Sequence, residues 1–248
     1  MSFTYGPRYL CRRKLAIDLL KEFTNTNKKV LEIGFGGGHF TATMEKMGYK
    51  GVAIDFSKEA FEALQKLAGK DFGFKVENKS DENVNGKFDA IVAFEVLEHI
   101  KEDGKALKRW NSLLNEGGHL FLSVPAHRRR WSLNDEFAGH IRRYEKTELT
   151  DLLGSAGFEI KKFYSYGYPI ANITESIRSR LIDKVESNDR SLEEKTKNSG
   201  VSNLPVPFGK IFFNDITMMP FYFIQSFFLD KDLGSGYLVC CEKSRNSN

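Results

Sequence analysis

Cysteine is scarce in this chain, with only 3 in 248 residues. Cys11 stands alone and Cys240 is followed directly by Cys241, a spacing that gives neither a disulfide framework nor a set of metal ligands. The composition therefore argues against a small disulfide-linked secreted protein and is typical of a reducing compartment. We expect a cytoplasmic protein that binds no metal.

Long apolar runs are also lacking. No stretch reaches the roughly 20 consecutive apolar residues of a membrane-spanning helix, and MSFTYGPRYLCRRK at the N-terminus has no apolar centre of a secretory signal. The formal net charge is +4, which is too small an excess to indicate a nucleic-acid-binding protein. A nucleic-acid partner is therefore not expected.

The sequence does contain a regular alternation of short apolar runs and amphipathic stretches. The apolar runs in KKVLEIG, GVAIDFS, FDAIVAF and GGHLFLSVP are typical of buried strands. Helical periodicity follows in HFTATMEKMG and SKEAFEALQKLAG, the second with Ser57 as N-cap. The alternation predicts an α/β protein with a doubly wound, mainly parallel sheet that is covered by helices on both faces.

A glycine-rich turn, in VLEIGFGGGHF, follows the first predicted strand. In a doubly wound sheet this turn lies at the carboxyl ends of the strands, where ligands bind. A dinucleotide fold needs G-x-G-x-x-G, but counting from Gly34 the third glycine position holds His39. The remaining pattern, E-x-G-x-G-x-G from Glu32, resembles the first motif of the class I S-adenosylmethionine-dependent methyltransferases. A carboxylate at this place suits a cationic methionine group and would repel a pyrophosphate.

Further landmarks fall in the order of that family. Asp55 ends the second strand where the family has its ribose-binding acid, Glu77 or Asn78 would read the adenine, and FDAIVAFEVLEHI resembles the fourth-strand motif of the small-molecule branch. The resemblance covers residues 28–166 and the last strand, GYLVCCEK, and it implies a Rossmann-like seven-stranded sheet with S-adenosyl-L-methionine as cofactor. The cofactor-binding residues that it implies are Glu32, Gly34, Gly36, Gly38, Asp55, Phe56, Glu77, Asn78 and Glu95.

Candidate catalytic groups follow the fourth and fifth strands, at the same edge of the sheet. In VPAHRRRWSLNDEFAGHIRRYEKTEL, we interpret His127 or His140 as the proton acceptor and Asp135 as the group that orients the imidazole. His99 is either a further base or a residue that lines the cofactor pocket. The stretch resembles methyltransferases with sugar or lipid-linked substrates, which adds three substrate contacts, with the arginine holding an anionic group: Trp131, Arg143 and Tyr144.

Four segments are predicted along the chain. Residues 1–27 form a helix that either covers the cofactor or lies on the surface. Residues 28–168 form the methyltransferase core, residues 169–235 an inserted helical and aromatic lid, and residues 236–248 the last strand and tail. The aromatic part of the lid faces a bulky apolar acceptor, a membrane interface or a second subunit. The side chains assigned to the cover are Tyr5, Arg8, Tyr9 and Arg12, and those assigned to the lid surface include Phe212, Phe213, Met218, Met219, Phe223 and Phe227.

These features predict methyl transfer to oxygen of a small-molecule, sugar-linked or lipid-linked acceptor, in line and with a histidine base. Three alternatives remain open at this point. HRRRW and IRRYEK favour RNA or protein methylation, although no RNA-binding appendage is recognisable. The other two are a nucleotide-fold interaction module without catalysis, which would not need Glu32 and Asp55, and a dehydrogenase. A homodimer and peripheral membrane contact are also open.

Overall fold

The computed structural model describes residues 6–69, 71–177 and 214–244. Within these residues seven strands form one sheet, in the order β3-β2-β1-β4-β5-β7-β6. The strand order reverses between β1 and β4, which is the point where an open α/β sheet binds its ligand. The strands are β1 (Lys29–Ile33), β2 (Lys50–Asp55), β3 (Phe74–Asn78), β4 (Phe88–Phe94), β5 (Leu114–Pro125), β6 (Phe158–Tyr166) and β7 (Gly236–Lys243).

The strand directions follow the predicted pattern, with one exception in β7. Neighbouring strands from β3 to β5 are parallel, whereas β7 runs antiparallel between β5 and β6. β4 is buried along almost its whole length, as expected for a parallel strand that is covered on both faces. The predicted α/β fold with a mainly parallel seven-stranded sheet is confirmed.

Helices cover both faces of the sheet. Ser57 caps α3 as predicted, since its hydroxyl accepts a hydrogen bond from the Ala60 amide at 3.1 Å. Pro7 lies in the first turn of α1, where the missing amide hydrogen has no partner to lose. The helices are α1 (Pro7–Phe23), α2 (His39–Lys46), α3 (Lys58–Leu67), α4 (Asp103–Leu113), α5 (Leu133–Ala138), α6 (Lys146–Ser155) and α7 (Asp215–Ser226), with 3₁₀ turns at Asp81–Asn83, Leu97–His99 and Arg128–Arg130.

Two apolar clusters pack on opposite faces of the sheet. One contains Trp110 of α4 and Leu153 of α6, and the other contains Leu20 of α1, Met44 of α2 and Met218 of α7, all fully buried. Each such side chain contributes about 1.5–3 kcal/mol by leaving water. Because α1 also contacts α7, these two helices form one layer on the same face of the sheet.

The predicted insertion between β6 and β7 is described at its two ends. Residues 170–177 are helical, and α7 precedes β7. Met218 is buried, but five large apolar side chains between residues 216 and 227 are exposed, and we call them the exposed face of α7. Phe212 and Phe213 lie outside the described residues, and the predicted segment boundaries stay a prediction. None of the described helices has the length and apolar character needed to cross a membrane. The exposed face of α7 consists of Ile216, Met219, Phe223, Ile224 and Phe227.

Candidate active site

The turn between β1 and α2 holds three glycines in the left-handed region, with φ of 72° at Gly34, 52° at Gly36 and 71° at Gly38. The protein itself excludes a side chain at two of them. An added Cβ would lie 2.4 Å from Val96 at Gly34 and 2.5 Å from Leu64 at Gly38. At Gly36 it would meet no protein atom within 4 Å. A ligand can therefore approach the main chain at Gly36.

Glu32, in β1, is a buried carboxyl group with an unsatisfied oxygen. It is 4% exposed, and Oε2 has no hydrogen-bond partner in the part of the chain that the structure describes. Burial raises the pKa of Glu32 to about 7, and the charge of Asp55 adds to this, while Thr41 and Arg12 act in the opposite direction. A cationic ligand group fits here, because its positive charge would replace the favourable interaction with water that the carboxylate loses on burial.

Asp55 ends β2 beside the open glycine, where a ribose-binding acid is expected. Its Oδ2 accepts a hydrogen bond from the Gly36 amide at 2.8 Å, and its Oδ1 accepts one from the Ser57 amide at 2.9 Å. The next residue, Phe56, is 82% exposed, so its ring is free to cover a flat ligand group. A carboxylate for hydroxyl groups and an aromatic face for a base together fit an adenosine.

The two candidates for reading the adenine have different surroundings. Glu77 lies 2.6 Å from the ammonium of Lys75 and 2.5 Å from that of Lys79, and hydrogen bonds from these lysines lower its pKa. Asn78 donates a hydrogen bond from Nδ2 to the Asp55 carbonyl at 2.9 Å. Because Asn78 is joined to the ribose acid and Glu77 is paired elsewhere, the arrangement favours Asn78.

Glu95 follows β4 with a φ of 59°, a conformation that costs a non-glycine residue about 1–3 kcal/mol. Its Oε1 accepts hydrogen bonds from the Ser123 hydroxyl at 2.9 Å and the Tyr166 hydroxyl at 3.3 Å. Two arginines of α1 also reach it, with Arg8 Nη2 2.8 Å from Oε2 and Arg12 Nη1 3.2 Å from Oε1. Burial opposes ionisation, but the two arginines outweigh it and lower the pKa of Glu95 to about 2. Helix α1 is thus tied to the carboxyl end of β4.

This contact gives α1 a place over the predicted cofactor site. Arg12 also lies 5.4 Å from the centre of the Phe94 ring, the last residue of β4. That α1 covers the cofactor stays a prediction, and Tyr5 of the predicted cover lies outside the described residues. It also gives Glu95, predicted to bind the cofactor, two partners within the protein.

A second group of ionisable side chains lies next to Glu95, and we call it the Glu98 cluster: Glu98, His99 and His140. Glu98 is completely buried, and neither carboxylate oxygen has a hydrogen-bond partner among the described residues. Burial, together with the charge of Glu95, raises its pKa well above the usual range. His140 Nε2 lies 3.7 Å from Glu98 Oε1, and its Nδ1 lies 2.9 Å from Asp135 Oδ1. The predicted contact between Asp135 and His140 is therefore present.

Arg143 and Tyr144, which are predicted to contact the substrate, both have partners within the protein. Arg143 donates to Asp135 from Nε at 2.7 Å and from Nη2 at 2.9 Å, and from Nη1 to the Ala126 carbonyl at 3.2 Å. The anion that it holds is a carboxylate of the protein. Tyr144 is completely buried, with its hydroxyl 3.0 Å from Asp103, so it is a core residue. A sequence pattern shows that these groups need partners but not which partner the fold supplies.

A comparison with protein families finds a match that includes most of the residues of this site. The model of a methyltransferase domain matches residues 6–162, a segment that runs from α1 into β6 and includes the glycine turn, Asp55 and the Glu98 cluster. The chain belongs to the methyltransferase domain family. The family predicted from the sequence is confirmed by this match.

Individual relatives align with a smaller part of the chain than the family model does. The ubiquinone biosynthesis O-methyltransferase of Xanthomonas axonopodis pv. citri is 34% identical over 101 residues, which are 39% of this chain and 42% of that protein. The chain thus aligns with less than half the length of that curated relative.

Solved structures share the fold of the methyltransferase. Magnesium protoporphyrin IX methyltransferase from Synechocystis, with bound S-adenosylhomocysteine, has a TM-score of 0.55 at 16% identity and covers 65% of this chain and 76% of its own. A putative sarcosine dimethylglycine methyltransferase from Galdieria sulphuraria has a TM-score of 0.62 at 13% identity, with 94% and 85% covered. At these identities the likeness concerns the fold.

The other predicted site residues of the methyltransferase have separate surroundings. His127, with a φ of 61°, is buried between two carboxylates, with Nδ1 3.3 Å from Glu145 and Nε2 3.6 Å from Asp232. Trp131 is 40% exposed and donates a hydrogen bond to Glu136 at 3.3 Å, so it is accessible to a substrate. Their catalytic and substrate-binding roles stay predictions.

Sequence reasoning missed Ser123 and Glu98 as members of the site. Ser123 interrupts the apolar run FLSVP, and a hydroxyl inside a buried strand needs a partner, which here is Glu95. Glu98 stands beside His99 directly after a strand, and this adjacency was the available signal. The residues around Glu98 are of mixed polarity, so no sequence signal showed that this side chain is completely buried.

Proposed function

We propose that this methyltransferase transfers the methyl group of S-adenosylmethionine to an oxygen of a small-molecule acceptor. The observation that carries the cofactor assignment is the unsatisfied carboxyl of Glu32 beside the open main chain at Gly36. Asp55 and Phe56 extend this place towards the ribose and the adenine. The O-methyltransferase relative supports oxygen as the atom that is methylated.

When bound, S-adenosylmethionine supplies an electrophilic methyl group on a sulfonium sulfur. The protein's task is alignment, because fixing two reacting groups in line removes most of the entropic cost of their encounter. Glu32 would hold the cationic methionine end and Asp55 the ribose, and helix α1 would close over the edge through Arg8 and Arg12. The acceptor hydroxyl must also lose its proton.

His140 is the stronger of the two candidate bases. Its Nδ1 is engaged by Asp135, which leaves Nε2 as the proton-accepting atom. Both histidines have a carboxylate near each ring nitrogen, but the Nδ1 contact of His127 with Glu145 is longer, at 3.3 Å against 2.9 Å for His140 and Asp135, so the ring of His127 is held less firmly. The proton is therefore proposed to leave the acceptor at the Glu98 cluster.

We further propose that the acceptor is bulky and apolar or lipid-linked, and that the enzyme works in the cytoplasm at a membrane surface. The exposed face of α7 supports this, with Ile216 at 80% and Phe223 at 67% exposure. The test is cosedimentation with phospholipid vesicles, in which Phe223→Ser should reduce binding with little change in stability. A concentration-dependent dimer that Phe223→Ser disrupts, without vesicle binding, would favour a subunit interface instead.

The central experiment measures cofactor binding and methyl transfer separately. Calorimetry with S-adenosylmethionine should show one site, and NADH and NADPH should not bind. Radiolabelled methyl transfer is then screened against phenolic, sugar and lipid-linked acceptors, with RNA and protein as the opposing arms. Cofactor binding with transfer only to RNA or protein would refute the small-molecule acceptor, and lack of cofactor binding would refute the methyltransferase activity itself.

A further inference from the structure

The Glu98 cluster brings three side chains of metal-binding type to one point. One ligand atom from each of Glu98, His99 and His140 lies within 4.8 Å of the other two. Glu98 and His99 belong to the 3₁₀ turn after β4, and His140 follows α5 about forty residues later. The fold assembles the group, and His99 is exposed, so solvent and ions can reach it.

Both histidines are held in the way that metal-binding histidines are held. His99 Nδ1 lies 3.0 Å from the Gly139 carbonyl, and His140 Nδ1 lies 2.9 Å from Asp135. A hydrogen bond from one ring nitrogen to a carbonyl or a carboxylate fixes the ring and leaves the other nitrogen as the ligand. Arg143 in turn holds Asp135 through two hydrogen bonds, so the support extends to a third layer of residues.

Glu98 lacks the partners that a buried carboxyl group requires. It is completely buried, and neither oxygen has a hydrogen-bond partner in the described part of the chain. Leaving such a group without a partner costs several kcal/mol. A direct bond to His140 would relieve this, but the two groups are 3.7 Å apart. Ligand bonds of about 2.0–2.2 Å place neighbouring ligand atoms roughly 3–4 Å apart. The 3.7 Å between Glu98 and His140 agrees with this spacing, and the ligand atom of His99 lies within 4.8 Å of both.

We propose that Glu98, His99 and His140 bind a divalent transition-metal cation. Two imidazoles and one carboxylate are a donor set that proteins use for Zn²⁺ and Fe²⁺, with coordination positions left open for other ligands. Methyl transfer involves no change of oxidation state, so Zn²⁺ is the appropriate probe. This proposal departs from the sequence-based expectation that the protein binds no metal.

The role of the cation rests on the proposed methyl transfer to oxygen. An acceptor hydroxyl at an open coordination position has a lowered pKa, and its proton passes to water. The acceptor oxygen then forms the new carbon–oxygen bond as the methyl–sulfur bond breaks, which gives a methyl ether and S-adenosylhomocysteine with no net oxidation or reduction. His140 would then be a metal ligand. The cation, by lowering the pKa of the acceptor hydroxyl, would take the place of a histidine base.

Metal binding by the whole chain is measured apart from activity. The protein is treated with a chelator, and Zn²⁺ is titrated by calorimetry and Co²⁺ by visible absorption. One equivalent should bind. Glu98→Gln and His140→Ala should each weaken binding by more than about tenfold, the lower end of the loss seen even for outer-shell partners. His119→Ala, on β5 and outside the cluster, is the control and should bind like the wild type.

Glu98→Gln keeps the shape of the buried side chain and a neutral group at its position, so it decides the question if His140→Ala fails to fold. The proposal is overturned if the wild-type protein binds no stoichiometric cation, or if Glu98→Gln binds as tightly as the wild type. Binding of S-adenosylmethionine is measured in the same samples. Cofactor binding without metal binding refutes this proposal alone, whereas metal binding without cofactor binding refutes the proposed function and leaves the metal site standing.

Discussion

Replacing Glu32 by glutamine removes a buried charge while keeping the size of the side chain. The two requirements on this residue conflict, because the cofactor-free fold is destabilised by the charge and the proposed cofactor site depends on it. The substitution should therefore stabilise the cofactor-free protein and weaken cofactor binding at the same time. Such opposition is common where a site is built for a ligand more than for stability.

The magnitude follows from the pKa of Glu32, which rises from an ordinary value of 4.5 to about 7 in the fold. Below pH 4.5 the carboxyl is protonated in both the folded and the unfolded chain, so it has no pH-dependent effect. Between pH 4.5 and 7 only the unfolded chain ionises, and the stability of the wild type falls as the pH rises. Above pH 7 the loss is constant, at 1.36 kcal/mol per pKa unit and so about 3 kcal/mol.

The assay is urea unfolding of the cofactor-free proteins between pH 4 and pH 8. Glu32→Gln should gain about 1–3 kcal/mol over the wild type at pH 8, and this gain should disappear near pH 4. Affinity for S-adenosylmethionine should fall roughly 10- to 100-fold, the loss of one charged hydrogen bond. The affinity of the wild type for S-adenosylmethionine should rise as the pH approaches 7, whereas that of Glu32→Gln should not. Glu62→Gln, at an exposed position of α3, is the matched control. A variant that is less stable at pH 8, or that binds the cofactor unchanged, would refute the reasoning.

Three further predictions test neighbouring parts of the site. Gly36→Ala should cost about 1 kcal/mol of stability because of its positive φ and should weaken S-adenosylmethionine at least about tenfold by calorimetry, whereas Gly86→Ala, also at positive φ in open space, should have the stability cost alone. Arg8→Gln should lower the unfolding free energy by about 1–3 kcal/mol, and adding Glu95→Gln should restore part of it; no restoration would contradict the pairing. Asp135→Asn should destabilise by about 3 kcal/mol at pH 7, since hydrogen bonds to its side chain outweigh burial and hold its pKa well below 3.8. The difference should begin to shrink below about pH 4 and vanish only when the pH falls through the native pKa, and a difference independent of pH would contradict the reasoning.

The architecture was largely predictable because each element carries a local signal. Buried parallel strands give unbroken apolar runs, and helices give amphipathic periodicity with caps such as Ser57. The antiparallel direction of β7 has no such signal, since GYLVCCEK is equally apolar in either direction. The family resemblance, and not the periodicity, led to the seven-stranded sheet.

Site residues were predictable where they lie at or near the end of a predicted strand, because the sequence shows their position directly. Glu32 and Asp55 were found in this way, and the structure places both at the glycine turn. The pairing of Arg143 with Asp135 was not predicted, because α5 brings the two together and charge patterns do not show such pairing. Glu98 was overlooked because burial of a single acid depends on the packing of distant elements.

The position of β7 has a consequence for how the chain folds. β5 and β6 do not pair with each other, because β7 lies between them and hydrogen-bonds to both. During synthesis, the strand that joins them is made after all the others, so β5 presents an unpaired apolar edge until residues 236–243 leave the ribosome. Premature termination before that point therefore leaves a methyltransferase core with its cofactor turn complete and its sheet open to self-association.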